Sequence, residues 1–447
     1  PKDDGLVAGA DGGLFSWKFD PRHPEVTPAA LFTKVWYEGY EKPQHMWQSS
    51  GGTDSFEPKL GMYPLVFGTL KATLYSLLFG VPLALLAAIY TSEFMHPRTK
   101  MIIKPIIELM ASLPSVVLGF LAGLVFAQFV EGVLSAVLAC VFTVPLAFLI
   151  GAYLWQMLPD RISLPLASWR FVFILLVLPI GMASALWVGP LLEAMFFAGS
   201  LRGWLDTGAG SAVGGWMFLL LPICAIAGVF LTGAYVNPWI RHMTKHWSKR
   251  ASGRLDAVKF LAATIATVGA AWLLAQGLDA LSIDARGAVI GPYSQRNALI
   301  VGFVMGFAII PIVYTLAEDA LSSIPEHLRA GSLAAGATRW QTATRIVIPT
   351  AMSGLFSAVM IGTGRAVGET MIVLMATGNT PVIDWSPFNG FRTLSANIAV
   401  ELPEAVVDST HFRTLFFAAL VLFAITFLLN TAAEMVRLRF RRRAYQL

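Results

Sequence analysis

Nine stretches of this chain are longer than a bilayer-spanning helix requires and carry few charges: 64–90, 105–130, 132–157, 171–192, 214–236, 257–277, 296–317, 350–376 and 414–436. A helix crosses the hydrocarbon core of a membrane with about 20 mostly apolar residues, and only a structure that closes its own backbone hydrogen bonds is stable there. The pattern predicts an all-α, polytopic membrane protein with about nine transmembrane helices. Composition agrees: of 447 residues, 56% are hydrophobic and 13% charged, against roughly 25% charged in a soluble domain.

The loops carry the orientation, because Lys and Arg gather on the cytoplasmic side of spanning helices. Alternating sides from the first span groups 91–104, 158–170, 237–256, 318–345 and 437–447. These loops hold eighteen Lys and Arg, among them Arg98, Lys100, Arg241, Lys245, Arg250 and the Arg439–Arg443 cluster. The opposite short loops hold five: Arg202, Arg286, Arg296, Arg392 and Arg413. The asymmetry predicts a multi-pass protein with the C-terminus cytoplasmic and residues 1–63 outside. The net charge of +5 is thereby a topology signal, and no nucleic-acid partner is expected.

Starting at Pro1 rather than at Met, the chain reads either as the downstream part of a longer one or as a chain with a processed N-terminus; an outside placement of residues 1–63 calls for a further upstream span. That segment mixes Gly and Pro with Trp17, Trp36, Tyr37, Tyr40 and Trp47, and fits an ordered stalk or a loose leader. Cys140 and Cys224 lie inside apolar runs and read as two buried thiols without a disulfide or metal.

Two stretches carry chemistry. The first is Ser323-Ile-Pro-Glu-His-Leu-Arg-Ala-Gly-Ser-Leu-Ala-Ala-Gly-Ala-Thr-Arg-Trp340. Ser323 followed by Glu326 predicts a capping box opening a short helix, with Pro325 in its first turn and Gly336 at its end. Ala330, Gly331, Ser332, Ala334 and Ala335 are small enough to admit another backbone, with Ile324, Leu328 and Leu333 as apolar knobs. Docking into a partner's groove and plain connection of two spans both fit.

The second is Ile361-Gly-Thr-Gly-Arg-Ala-Val-Gly-Glu-Thr-Met-Ile372, inside the run 350–376. On one continuous helix Arg365 and Glu369 share a face, and Gly364 with Gly368 forms a pair for close helix packing. An Arg at mid-membrane costs about 2.5–3.5 kcal/mol on insertion scales, so it faces protein or a water-filled cavity. Its planar fork suits a phosphate oxygen, with Glu369 neutralising it between transport events and Thr370 beside them. A structural Arg–Glu pair locking two helices is the competing reading.

Other polar groups in the apolar runs have weaker claims. Lys71 either snorkels outward or attracts anions. Pro114 is expected to free the Met110 carbonyl and kink its helix, and Ser115 offers a hydroxyl to substrate or packs the bend. Glu108 is expected to snorkel. Asn397 and Glu401 belong to an outer gate or, more simply, to a solvated loop. The chain has no Gly-x4-Gly-Lys-Ser/Thr loop and no Gly-Lys pair at all, so any ATP hydrolysis belongs to a partner.

The stretch Gly336-Ala-Thr-Arg-Trp-Gln-Thr-Ala-Thr-Arg-Ile-Val-Ile-Pro349 resembles the second half of the EAA loop. That loop marks the permease subunits of ATP-binding-cassette (ABC) importers and forms the coupling helix seated in their ATPase. The family's acidic residue is Ala330 here. On this resemblance Glu326, Arg329, Leu333, Gly336 and Ala337 are the expected coupling residues. Gly364-Arg-Ala-Val-Gly-Glu-Thr370 resembles the signature of phosphate-specific (Pst) permeases. Gly68-Thr-Leu-Lys-Ala-Thr73, Glu108-Leu-Met-Ala-Ser-Leu-Pro-Ser-Val-Val-Leu-Gly119 and Thr393-Leu-Ser-Ala-Asn-Ile-Ala-Val-Glu401 follow the same family in order, and its PstC-like subunit fits better than the paralogue.

These likenesses cover about 64–130 and 296–447, whereas 131–295 looks like an insertion of four helices, as in the long form of this permease. The resemblance implies a type I ABC importer permease core in four parts: 1–63 extracytoplasmic, 64–130 the first part of the core, 131–295 inserted, and 296–447 the second part with the coupling helix. It implies a transport subunit without an ATPase site or cofactor of its own. Expected partners are a homologous PstA-like permease, a PstB-like ATP-binding dimer carrying ATP and Mg, a periplasmic phosphate-binding protein and the lipid bilayer. Arg365, Glu369, Thr370, Ser115 and Lys71 are the substrate-pathway candidates. Three rival expectations remain: another oxyanion such as molybdate or phosphonate, a phosphate-sensing scaffold, and an ion-coupled secondary transporter. The last calls for inverted repeats, which the sequence does not display.

Overall fold

In a computed structural model of the protein, residues 5–10, 13–18, 26–37, 39–51, 57–158, 165–166, 170–243, 249–286 and 290–444 are described. Lys245 and parts of segments 1–63 and 158–170 fall outside them. The first segment holds a hairpin, β1 (Gly5–Ala10) with β2 (Gly13–Lys18), then helix α1 (Pro28–Phe32) and the short pair β3 (Trp47–Gln48) and β4 (Lys59–Leu60). Helices follow almost without interruption: α2 (Tyr63–Glu93), α3 (Pro97–Ala111), α4 (Ser115–Leu121), α5 (Ala127–Gly132), α6 (Leu134–Met157), α7 (Arg170–Phe196), α8 (Leu201–Thr207), α9 (Val213–Leu231), α10 (Asn237–Met243) and α11 (Lys249–Ala280). The remainder comprises α12 (Ala298–Ser322), α13 (Glu326–Ala334), α14 (Arg339–Thr342), α15 (Ile348–Gly368), α16 (Met371–Ala376), α17 (Leu394–Glu401) and α18 (Thr410–Ala444). Single π-helical turns join α4 to α5, α9 to α10 and α14 to α15. Among the described residues nine helices are long and apolar enough to cross a membrane. The chain is an all-α, multi-pass membrane protein.

Contacts divide the chain into two units, one of residues 1–125, 296–383 and 390–447, the other of 126–295 and 384–389. In the first, α2 and α12 run parallel with their backbones in contact. A Cβ on Gly80 would lie 2.8 Å from the Gly306 carbonyl oxygen, and one on Gly302 would lie 2.8 Å from Tyr75 Cβ. Helix α15 returns antiparallel along α12, where a Cβ on Gly362 would meet Val313 and one on Gly354 would meet Ala320. Leu31, Trp47, Leu60 and Met62 join Leu65, Leu394, Leu415 and Ala418 in one buried apolar cluster. The part of segment 1–63 that carries these residues is therefore a packed platform on the ends of α2, α17 and α18.

In the second unit α6 packs against α7, where a Cβ on Gly189 would sit 2.6 Å from the Ala136 nitrogen. The buried Trp204 donates from Nε1 to the Ser211 carbonyl (2.9 Å), and the Arg286 guanidinium lies 4.9 Å from its ring centre. Arg286 also pairs with Asp284 and holds that carboxyl below the usual carboxylate range. Cys140 and Cys224 are free thiols, half-buried rather than buried.

Two of the expected spans are broken. The run 105–130 is not one kinked helix: α3 stops at Ala111, Leu113 N–H donates to the Met110 carbonyl (3.3 Å), and Pro114 stands in extended conformation as the residue that opens α4. The proline starts a new helix instead of bending an old one, the role its missing N–H suits best. The run 350–376 breaks at Glu369–Thr370, between α15 and α16.

Candidate functional site

Helix α13 lies at the surface, and all of it is exposed except Arg329 and Ser332, one turn apart, which are half-buried. The expected Ser323–Glu326 capping box is absent. Ser323 is the C-cap of α12 and donates its hydroxyl to Ala320; Pro325 is the N-cap of α13, and Glu326 is its first residue. The helix ends as its glycine requires. Gly336 has φ +86°, its N–H reaches the Leu333 carbonyl (3.0 Å), and Ala337 N–H reaches Ser332 (3.2 Å). This is a Schellman stop, in which a left-handed residue satisfies the last carbonyls of the helix. A capping box that the sequence reading missed opens α14: Thr338 accepts from Gln341 N–H, and the Gln341 side chain accepts from Thr338 N–H.

Arg329 faces inward. Its guanidinium donates to Glu93 Oε1 at the end of α2 (2.9 Å) and to the carbonyls of Leu321 (2.7 Å) and Ile324 (2.8 Å) at the end of α12. Those carbonyls lack helical partners, and a cation at a helix C-terminus is favourable as well. Ser332 bonds Thr342 (2.9 Å). Ile324, expected as a knob, is 6% exposed and belongs to the interior, whereas Leu328 and Leu333 are exposed as expected. Beside the helix lies an open groove of about 650 Å³, with Leu328, Gly331, Ala335, Gly336, Gln341 and Arg345 in its lining. Nearby, Lys104 bonds Glu318 (2.7 Å) and Asp319 (2.9 Å), which hold its ammonium above the usual lysine range. Lys100 also pairs with Glu318.

At the break, α15 ends at Gly368 and Glu369 adopts ψ 128°, extended. Arg365 and Glu369 therefore do not share a helical face. The Glu369 carboxylate instead accepts from the N–H groups of Met371 (3.2 Å) and Ile372 (3.4 Å), capping α16. Its carbonyl accepts from Ser395 Oγ (2.9 Å), and Thr370 Oγ1 donates to Gly368 (3.3 Å). Arg365 is exposed and makes no hydrogen bond or ion pair among the described residues. The Gly364–Gly368 pair serves no close approach: nothing lies within 4 Å of a Cβ on Gly368, and only Asn430 Oδ1, at 3.7 Å, borders one on Gly364.

The close approach falls elsewhere. A Cβ on Gly119 would lie 2.7 Å from the Met371 carbonyl oxygen, and one on Gly123 would lie 2.4 Å from that of Met375. Small residues four apart thus seat α4 on α16. Half-buried Ser115 opens α4 one turn before this glycine pair, which the sequence reading passed over.

Lys71 does not snorkel. It is fully buried, with its ammonium 5.7 Å above the Phe391 ring, a contact of about 2 kcal/mol when desolvated. Glu108 is exposed, as expected. Asn397 and Glu401 are buried in α17, not solvated. Glu401 gathers Arg392 (2.9 Å), His411 (2.8 Å) and the Trp47 indole (3.1 Å). Nothing local in the sequence marks that cluster, because Trp47 lies 354 positions from Glu401.

No family model matches the chain, and no solved structure matches it. Curated relatives do. The probable ABC transporter permease protein YqgH of Bacillus subtilis is 38% identical over 133 residues, 30% of this chain and 43% of that protein. The phosphate transport system permease protein PstC 1 of Mycobacterium tuberculosis is 38% identical over 152 residues, 33% of this chain and 44% of that protein. PstA 1 of the same species is 33% identical over 144 residues, 32% of this chain and 46% of that protein. The chain spans less than half the length of the curated relatives it matches.

Proposed function

We propose that this chain is the PstC-like permease subunit of an ATP-driven importer of inorganic phosphate in a bacterial inner membrane, with residues 1–63 outside and the C-terminus cytoplasmic. The observation that carries the reading is an exposed helix of small residues gripped at one point to the ends of two packed spans, in the same unit as an unpaired membrane-embedded arginine. The names of the relatives point to phosphate. Residues 131–295 are then an addition to the permease core.

In this reading α13 is the coupling helix and docks in a PstB-like ATPase dimer, which carries ATP and Mg. Leu328 and Leu333 supply apolar contact, and Gly331 and Gly336 allow close approach. Displacement of α13 passes through Arg329 to α2 and α12. The cavity, shared with a PstA-like permease, turns outward when ATP closes the dimer, takes phosphate from a periplasmic binding protein, and turns inward after hydrolysis. Arg365 offers the anion a charge-assisted hydrogen bond. Glu369, occupied in capping α16, leaves it free to do so.

The test is phosphate uptake and phosphate-stimulated ATP hydrolysis by the co-purified subunits in proteoliposomes. Arg365→Gln is expected to stop uptake. Uptake that persists without ATP overturns the ABC reading. Uptake that excess phosphate leaves unchanged, but that molybdate or a phosphonate competes away, replaces the substrate.

A further inference from the structure

Asn430 sits inside the last span, on α18, and its side chain is exposed. Its polar neighbours have partners: Thr426 Oγ1 donates to Leu422 (3.0 Å) and Phe423 (2.8 Å), and Thr431 Oγ1 donates to Phe427 (2.8 Å). Asn430 makes no hydrogen bond among the described residues. An amide without partners is disfavoured in hydrocarbon, so Asn430 calls for a polar partner, whereas Phe423 and Phe427 on the same face of α18 are exposed apolar groups. The amide oxygen rests against Gly364, 3.7 Å from where a Cβ would stand, and the next residue is Arg365. An unpartnered amide and an unpartnered guanidinium therefore border the same stretch of α15.

We propose that Asn430 is a second substrate-contacting group, whose amide N–H donates to the oxyanion that Arg365 holds. The proposal rests on the permease reading above. The amide can donate to an oxyanion, and it adds directional recognition without a second charge that would hold the anion too tightly to release.

The complete transporter in ATP-loaded proteoliposomes tests this with labelled inorganic phosphate. Asn430→Leu is expected to lower uptake at sub-saturating phosphate by about tenfold or more, the loss of one hydrogen bond to a charged group, while the subunits still co-purify. Asn430→Asp, nearly isosteric, is expected to lose more, because its carboxylate repels the anion and pairs with Arg365. Asn430→Gln retains part of the uptake. Normal uptake by the Leu and Asp variants, with Arg365→Gln inactive, overturns the role of Asn430 and leaves the permease reading standing. Normal uptake by Arg365→Gln as well overturns the pathway itself. Equal losses in the Leu and Asp variants, matched by loss of assembled complex, assign Asn430 to packing and also overturn the proposal.

Discussion

Helices α12 and α9 are almost equally apolar, yet they are used differently. In the span Ala298–Ser322 of the first unit, 56% of the most apolar stretch is buried within the chain; in Val213–Ile240 of the second unit the share is 6%. The difference lies in where the glycines fall. Gly302 and Gly306 bring the middle of α12 against α2, whereas in α9 Gly214 and Gly215 meet Phe196 and Trp204 only at its first turn and Gly228 meets the Thr267 hydroxyl; Gly233, Gly269 and Gly277 have nothing within 4 Å. In a membrane, lipid tails are as apolar as Leu, so hydrophobicity alone brings no two helices together. Hydropathy says that a helix lies in the bilayer, and small residues decide what it lies against.

The comparison can be broken outright. Gly68→Val places a Cβ 2.1 Å from the Arg392 carbonyl oxygen and is expected to abolish folding, read as loss of the monodisperse peak in detergent. Gly269→Val is expected to leave that peak intact. Equal tolerance of both would remove glycine packing as the distinction.

Polar contacts sharpen it next. Glu401→Gln leaves Arg392 and His411 without a charged partner and is expected to cost about 3 kcal/mol, in the range for breaking a buried ion pair; thermal unfolding in detergent measures it. In the second unit, Arg202→Gln loosens an ion pair whose arginine is 61% exposed and is expected to cost less than about 1 kcal/mol.

Arg329→Ala is expected to leave membrane insertion intact and to reduce uptake by about tenfold or more, through loss of bonds to Glu93 and two helix-end carbonyls. Simultaneous measurement of ATP hydrolysis separates uncoupling from misassembly.

The smallest effect concerns pH. Burial, and then Lys34, lower the pKa of His45, which stacks on Tyr63 at 4.4 Å. A base whose folded pKa lies below its unfolded value is protonated more readily when unfolded. Its contribution is therefore complete above about pH 6.5 and declines as pH falls toward the folded value. Corrected for the slower intrinsic exchange at lower pH, the protection of residues 44–48 is expected to fall across that window, and His45→Gln to flatten the response.

The spans were legible because a long apolar run has few alternatives. So was the end of α13, where Gly336 supplies the left-handed residue a helix stop needs. The break at Glu369 was not, because periodicity places Glu369 on the face of Arg365 and gives no weight to a carboxylate capping the next six residues. A sharper signal was available in Gly368-Glu369-Thr370, a helix-ending glycine followed by a capping acid. The Arg329–Glu93 pair joins positions 236 apart, and no local pattern encodes it. Ser323 and Ile324 were misread together, since α12 runs on to Ser322 and claims both.

Because α2 and α12 touch backbone to backbone at Gly80 and Gly306, nothing compressible separates them, and neither can tilt without taking the other along. Arg329 holds the tails of both. A tug on α13 is therefore met by one stiff double rod rather than two independent pistons. At its far end α2 is seated, through Leu65, in the platform of Leu31, Trp47 and Met62, so any swing of the rod would pivot there.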